Sequence, residues 1–221
     1  MIEPSPLDLQ MMGRALELAA KGLYTTKPNP RVGCVIVRDA EIVAEGWHRA
    51  AGKAHAEIDA LDMAGDRARG ADLYVNLEPC CHVGRTGPCT PALIEAGVRR
   101  VVVAMEDPNP KVSGNGIKAL KEAGIDVTLG PQAEAARELN EGFVLRMERS
   151  RPLVRVKLAA TVDGRTAAAD GSSQWITSIE ARHDVHRWRA ASAAVVTGIG
   201  TVTSDDPRLN ARLDSDLVKP V

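Results

Sequence analysis

The chain has 221 residues, of which 44% are hydrophobic and 3% aromatic, and its 28 basic residues nearly balance 29 acidic ones. This hydrophobic content excludes a disordered chain, and the charge balance argues against binding to nucleic acid or to an anionic membrane surface. No stretch reaches membrane-spanning length, and the N-terminus lacks the basic and apolar segments of a secretory signal. We therefore expect a cytoplasmic protein with reduced cysteines.

The first 150 residues alternate between helical and strand patterns. In chain order they predict a helix over 7–22, strands over 32–37 and 42–47, a helix from His55, a strand over 73–77, a short helix over 91–96, a strand over 101–104, a helix over 116–123, a strand over 125–129 and a longer helix over 132–147. A hairpin followed by alternating strands and helices predicts an α/β sheet with helices on both faces. Since aromatic residues are scarce, aliphatic side chains should fill its core.

A domain boundary is predicted at Ser150-Arg151-Pro152. After it, strands are predicted over 153–160 and 193–197, with a helix over 179–191 between them. About seventy residues with two strands make a thin domain. We therefore expect one domain over residues 1–150 and an incomplete second domain over residues 151–221.

Metal-binding residue types are concentrated at two predicted helix starts. His55 opens one helix, and Cys80 and Cys89 precede another. One His and two Cys leave a coordination position of Zn²⁺ open, which is typical of a catalytic site, whereas structural sites have four protein ligands. Glu57, two residues after His55, is the candidate proton shuttle. The set matches the His-x-Glu…Pro-Cys pattern of zinc-dependent base deaminases.

Other residues near this cluster are alternative ligands. Cys81 and His82 are spare candidates, and Cys80 is preferred to Cys81 because it follows Pro79, as the pattern requires. Cys34 lies in the middle of a predicted strand and is expected to be a small core residue.

The segment between the two cysteine ligands is unusually long. Eight residues separate Cys80 from Cys89, whereas nucleoside and nucleic-acid deaminases close their sites with Cys-x-x-Cys. His82 and Arg85 lie in this segment and indicate an anionic group, such as phosphate, on the substrate.

Several segments resemble one protein family, the bifunctional riboflavin-biosynthesis deaminase–reductases of bacteria. They are Pro28-Asn29-Pro30, His55-Ala56-Glu57, the run from Glu78 to Cys89, and Asp107-Pro108-Asn109-Pro110. The resemblance extends along the whole chain, although Cys81 stands where Ser is more usual. It implies a cytidine-deaminase-like three-layer α/β/α fold with a mixed sheet, followed by the N-terminal part of a dihydrofolate-reductase-like α/β domain.

The resemblance also implies a reaction. The family hydrolyses the 2-amino group of a diaminopyrimidinone carrying a ribosylamino 5′-phosphate and releases ammonia, with zinc as the cofactor. The positions that match its substrate-binding residues are Asn29, His48, His82 and Arg85. We expect the protein to bind this small phosphorylated pyrimidine as its substrate. We also expect it to form a homo-oligomer.

Residues 151–221 resemble the start of the family's NADPH-dependent reductase. The shared motifs are Lys157-Leu158-Ala159, Asp163-Gly164-Arg165, the run from Ser173 to Thr177, the run from Gly198 to Thr201, and Asp205-Asp206-Pro207. By position, Ala159, Trp175, Thr201 and Asp205 match NADP-contacting residues, and Ser173, Arg189, Leu209 and Arg212 match substrate-contacting residues. The family's later strands and second glycine-rich loop are missing from this sequence, so we expect this chain to deaminate but not to reduce.

Two other functions fit part of the pattern. A deaminase of a nucleoside, of guanine or of a tRNA base would share the zinc residues, but the long cysteine loop, the balanced charge and the reductase-like segment argue against it. A structural or nucleic-acid-binding zinc module would need four protein ligands and a basic face.

Overall fold

A computed structural model of the chain describes residues 4–84 and 86–213. The chain divides into two compact units, Met1–Leu153 and Val154–Val221. Within the described residues, every helix is too short or too polar to cross a lipid bilayer.

The first unit contains a five-stranded mixed sheet. Its elements are α1 (Pro6–Ala20), β1 (Gly33–Arg38), β2 (Glu41–Trp47), α2 (Ala56–Ala64), a 3₁₀ turn (Gly65–Ala68), β3 (Asp72–Val75), α3 (Cys89–Ala96), β4 (Arg100–Val103), α4 (Asn115–Glu122), β5 (Asp126–Leu129), α5 (Ala133–Leu139) and α6 (Glu141–Arg149). The strand order is β2-β1-β3-β4-β5. Strand β1 is antiparallel to β2 and β3, whereas β3, β4 and β5 are parallel.

Strand residues alternate between two apolar cores, one on each face of the sheet. On one face, alternate residues of β1, β3 and β4 pack with α2, α3 and α4. On the other face, the intervening residues pack with α1, α5 and α6. The predicted three-layer α/β/α architecture is therefore confirmed, and aliphatic side chains fill most of both cores.

Helix α1 is fixed to the sheet by a buried carboxylate. Ser5 and Asp8 form a capping box at the start of the helix. Asp8 also accepts two hydrogen bonds from the Arg100 guanidinium, at 3.0 and 3.2 Å, and one from the Tyr74 hydroxyl at 3.1 Å. These contacts join α1 to β3 and β4.

The long helix predicted over residues 132–147 is wrong, because it is broken at Asn140. There α5 ends and α6 begins, and the Asn140 backbone leaves the helical region with φ −109° and ψ 19°. The buried Asn140 side chain bonds instead to the backbone of Arg31, which lies 109 positions earlier in the chain. A long-range polar contact thus overrides local helical periodicity.

The second unit contains α7 (Ile179–Ala191) and α8 (Ile199–Asp205). The strands predicted over 153–160 and 193–197 are wrong, since neither segment joins a sheet in the structure. Val154, Val156 and Leu158 are 72%, 81% and 80% exposed. A strand is stable only in a ladder that pairs its backbone groups, and residues 154–213 provide no such partner.

Candidate active site

The candidate site lies beyond the carboxyl end of β3, where two helices begin. His55 is the N-cap of α2, and Cys89 is the first residue of α3. The Cys80 carbonyl accepts hydrogen bonds from the backbone amides of Cys89 and Thr90 at 3.0 and 3.1 Å, which places Cys80 at the start of α3. Helix N-termini carry partial positive charge and stabilise thiolates, the form of cysteine that binds metal.

Helix α2 packs closely enough on the sheet to bring its first turn to this site. The close approach depends on Gly46 in β2, because a Cβ atom there would collide with the Ala56 carbonyl oxygen. The sheet therefore fixes the start of α2, which carries His55 and Glu57.

The ligand atoms of His55, Cys80 and Cys89 all lie within 4.8 Å of one another. His55 Nδ1 is 3.2 Å from Cys89 Sγ and 3.4 Å from Cys80 Sγ. One nitrogen and two sulfurs at these separations fit a tetrahedral Zn²⁺ ion, whose bonds to nitrogen and sulfur are about 2.0 and 2.3 Å long. The donor set therefore suits zinc and leaves one coordination position for a small molecule.

The other two cysteines lie elsewhere. Cys34 is buried in β1 within the apolar core. Cys81 Sγ lies 3.9 Å from the Lys111 carbonyl oxygen.

The two cysteines of the cluster differ strongly in acidity. The pKa of Cys80 is lowered, mainly because Cys89 donates a hydrogen bond to its thiolate, with a further contribution from His55. The pKa of Cys89 is raised, because its thiol proton is held by Cys80 and because it is buried. A metal ion bound here would displace this shared proton.

Glu57 lies in the first turn of α2 and is 3% exposed. Burial, together with the negative charge of the Cys80 thiolate, raises the pKa of Glu57 to about 7. Its carboxyl group also hydrogen-bonds with Cys89. A carboxyl group with a pKa near neutrality both accepts and donates protons readily at neutral pH.

Asn29 and His48 form a pair beside the metal-ligand cluster. His48 Nδ1 is 2.9 Å from the Ala54 carbonyl oxygen, which can only accept, so this nitrogen carries the proton. Nε2 then accepts a hydrogen bond from Asn29 Nδ2 at 3.1 Å. Burial lowers the pKa of His48 and favours this neutral form. The His48 ring packs edge-on against His55, with centroids 5.5 Å apart.

The segment that carries Asn29 is held by two buried asparagines. The Arg31 amide donates to Asn140 Oδ1 at 2.8 Å, and its carbonyl accepts from Asn140 Nδ2 at 2.9 Å and from Asn76 Nδ2 at 3.0 Å. Asn76 Oδ1 accepts from the Gly33 amide at 2.8 Å. Sequence reasoning missed both residues, because they bind distant backbone groups and belong to no local motif.

Glu78 is a third positioning residue, and sequence reasoning named it in a motif but missed its role. Its buried carboxylate accepts four backbone hydrogen bonds of 2.8–3.1 Å, from the amides of residues 107, 114, 116 and 117. Glu78 thereby fixes the loop before α4 against the segment that carries Cys80. Its position two residues before the proposed metal ligand Cys80 is the sequence feature that could have indicated this role.

The remaining residues predicted to bind the deaminase substrate are His82 and Arg85. His82 is half-buried, and its Nδ1 atom has no hydrogen-bond partner among the described residues. Arg85 lies outside the described residues.

The predicted reductase residues lie in the second unit. Arg189 Nη1 donates to the Asn210 carbonyl oxygen at 3.3 Å, and Arg212 Nη1 donates to Asn210 Oδ1 at 2.7 Å. Leu209 precedes Asn210 in the chain. Thr201 and Asp205 share α8 and are exposed, as is Ser173, whereas Ala159 is half-buried on a separate segment. Trp175 is 70% exposed and stacks with the Arg182 guanidinium at 4.4 Å. The structure thus groups three substrate-matched residues, while the four NADP-matched residues are distributed over three segments.

Comparison with known proteins gives two family matches. Residues 6–105 match the cytidine and deoxycytidylate deaminase zinc-binding region. Residues 152–220 match the RibD C-terminal domain.

Individual relatives match along nearly the whole chain. The riboflavin biosynthesis protein RibD of Escherichia coli K12 is 56% identical over 205 residues, which are 93% of this chain and 56% of that protein. The structure of Acinetobacter baumannii RibD, form 1, has a TM-score of 0.93 and 52% identity, covering 97% of this chain and 61% of that one. A Thermotoga maritima diaminohydroxyphosphoribosylaminopyrimidine deaminase/5-amino-6-(5-phosphoribosylamino)uracil reductase has a TM-score of 0.89 and 44% identity, covering 94% and 60%. The chain thus spans rather more than half the length of these relatives.

Proposed function

This chain belongs to the RibD family of bifunctional riboflavin-biosynthesis deaminase–reductases, and from that premise we propose that its first unit is a zinc-dependent pyrimidine deaminase. The proposed substrate is 2,5-diamino-6-ribosylamino-4(3H)-pyrimidinone 5′-phosphate. Water replaces its 2-amino group, giving 5-amino-6-ribosylaminouracil 5′-phosphate and ammonia. The observation that carries the proposal is the set of three zinc-ligand side chains beside the buried carboxyl group of Glu57.

In this proposal His55, Cys80 and Cys89 hold the zinc ion, which when bound supplies a Lewis acid that makes water a stronger nucleophile at neutral pH. Glu57 accepts a proton from the attacking water. It then delivers this proton to the pyrimidine ring nitrogen. Glu57 next takes the remaining proton of the added hydroxyl group and passes it to the amine, so that a C=O bond forms, the C–N bond breaks and ammonia departs. The buried carboxyl group of Glu57, in the first turn of α2 beside the metal ligands, suits both the acceptance and the donation of the proton.

Substrate recognition is assigned to four residues. Asn29 and His48, next to the metal ligands, are proposed to contact the pyrimidine, and His82 and Arg85 to contact polar atoms of the base or the phosphate. The Thermotoga relative is named for activity on a phosphoribosylaminopyrimidine, which supports a phosphorylated substrate. Arginine suits this role because its guanidinium group binds phosphate with two parallel hydrogen bonds.

The remaining assignments concern the whole chain. We assign residues 1–150 to the deaminase domain and residues 151–221 to part of a reductase domain that uses NADPH in the full-length family. The two guanidinium groups at Asn210 support a phosphate-binding role in the second unit. A homo-oligomeric state and a cytoplasmic location stay predictions, and the four free cysteines support a reducing compartment.

Ammonia release from a panel of substrates tests the function. The panel contains the ribosylamino-pyrimidinone phosphate, its dephosphorylated analogue, cytidine and guanine. We expect kcat/KM for the phosphate to exceed that for the analogue by on the order of 100-fold, the worth of a charge-assisted contact of about 3 kcal/mol. Faster release from cytidine or guanine would contradict the proposal.

A further inference from the structure

The loop between the two cysteine ligands places a hydroxyl group behind His55. Thr86 Oγ1 lies 3.1 Å from His55 Nε2. The opposite ring nitrogen, Nδ1, lies 3.2 and 3.4 Å from the two cysteine sulfurs. The imidazole therefore has a metal-facing nitrogen and a nitrogen that faces Thr86.

We propose that Thr86 is a positioning residue that fixes the orientation and tautomer of His55 for metal binding. The inference rests on the proposed zinc site. A metal ion binds the unprotonated nitrogen of neutral imidazole, so the single ring proton must reside on Nε2 once Nδ1 is a ligand. Thr86 Oγ1 is placed to accept the hydrogen bond that this N–H donates. Such outer partners orient histidine ligands and increase their basicity.

The local fold holds Thr86 in this position. The amide of Gly84 donates to the Thr86 carbonyl at 3.1 Å, and the amide of Cys89 donates to the Cys80 carbonyl at 3.0 Å, which closes the base of the loop. Thr86 itself is half-buried. A Cys-x-x-Cys spacing has two intervening residues and no position equivalent to Thr86. The eight-residue spacing of this chain therefore supplies a partner for His55 in addition to any contact with substrate.

Thr86→Val tests the role directly, because valine nearly preserves the shape of threonine but cannot accept a hydrogen bond. We expect its zinc dissociation constant to rise about 10- to 100-fold, the usual effect of losing an outer-shell partner. Thr86→Ser keeps the hydroxyl and should stay within about threefold of the parent. Thr128→Val is the matched control, since Thr128 bonds to Arg100 in the sheet and not to a metal ligand.

The measurement is chelator competition for zinc on the folded protein, together with the melting temperature of the zinc-free form. Thr86→Ala is the second variant if Thr86→Val does not fold, and it should weaken zinc binding similarly. A merely structural role would lower the zinc-free melting temperature and leave the zinc dissociation constant unchanged, which would overturn the inference. If the parent chain binds zinc and both variants bind it equally well, the inference fails while the proposed function stands. If the parent chain binds no zinc, the proposed function fails and this inference fails with it.

Discussion

At the scale of single residues, the chemistry depends on side chains far apart in the sequence. His55 lies 25 positions from Cys80 and 34 from Cys89, yet its Nδ1 atom contacts both sulfurs. Each proposed ligand lies at or beside the start of a helix, which fixes the position of its backbone. A small change in side-chain length or donor type should therefore lower the affinity of the site for metal.

Substitution of each ligand should empty the zinc site. We expect His55→Ala, Cys80→Ser and Cys89→Ser each to reduce the zinc content to well below one ion per chain. The site has three protein ligands, and two are too few to hold the ion tightly. Cys81→Ser and Cys34→Ala are controls and should retain about one ion. Metal analysis of the purified variants measures this, and the assignment is wrong if Cys81→Ser empties the site while Cys80→Ser leaves it full.

The sequence indicated that His55, Cys80 and Cys89 belong together, and the structure groups them, because their types, order and spacing are themselves the chemical signal. Their role as zinc ligands stays a prediction. The sequence did not predict the roles of Asn76, Glu78 or Asn140, whose partners are backbone atoms brought near by the fold. A side chain that binds a distant amide leaves no periodicity and no fixed spacing in the chain. The roles of Asn29, His48, His82 and Arg85 toward substrate stay predictions.

At the scale of elements, strongly periodic segments were predicted to within about two residues at most ends, since burial on one face determines both their pattern and their packing. Two kinds of element were predicted wrongly. The helix over 132–147 is interrupted where the Asn140 side chain contacts Arg31. The apolar run through Val154 to Leu158 has strand-like composition, but strand formation needs a partner that composition cannot supply.

The contact between α1 and the sheet should give an acid-sensitive contribution to stability. Burial alone would raise the pKa of Asp8, but hydrogen bonds from Arg100 and Ser5 outweigh burial and hold the pKa below its usual range. A lowered folded-state pKa contributes stability above the unfolded-state pKa of about 3.9, and this stability is lost as pH falls through the folded-state value.

We expect Asp8→Asn to lower the free energy of unfolding by about 2–3 kcal/mol at pH 7, because it removes charge-assisted hydrogen bonds with Arg100 and leaves that guanidinium with its longer contact to the Asp72 carboxylate, at 3.9 Å. The deficit should shrink as pH falls below about 4, because Asp8 becomes protonated there in the unfolded parent and, at lower pH, in the folded parent as well. Denaturant titrations at several pH values measure it. Asp62→Asn, on the exposed side of α2, is the control and should change little at any pH. A deficit that is independent of pH would show that the Asp8 charge does not stabilise the fold.

At the scale of the whole molecule, the two units differ in how well they bury apolar side chains. The first has a core on each face of its sheet, whereas the second exposes Val156, Leu158 and Val196 by 81%, 80% and 92%. A unit with its own core folds independently, and exposed apolar side chains bind hydrophobic dyes.

A chain ending at Leu153 should therefore keep zinc and deaminate within about threefold of the 221-residue chain. It should also bind less anilinonaphthalene sulfonate, because the exposed apolar residues of the second unit are absent. Metal analysis, ammonia release and dye fluorescence compare the two proteins. Loss of zinc or of deamination on shortening would mean that the first unit depends on the second.

The central claim, that Glu57 moves protons at a zinc site, is tested most directly by ammonia release from zinc-loaded Glu57→Gln. Glutamine preserves the shape of the side chain and leaves the three ligands in place, but it cannot accept and return a proton. We expect a full complement of zinc and a fall in kcat of roughly 10²- to 10⁴-fold on the ribosylamino-pyrimidinone phosphate. A zinc-loaded Glu57→Gln protein that stays within a few-fold of the parent would contradict this account.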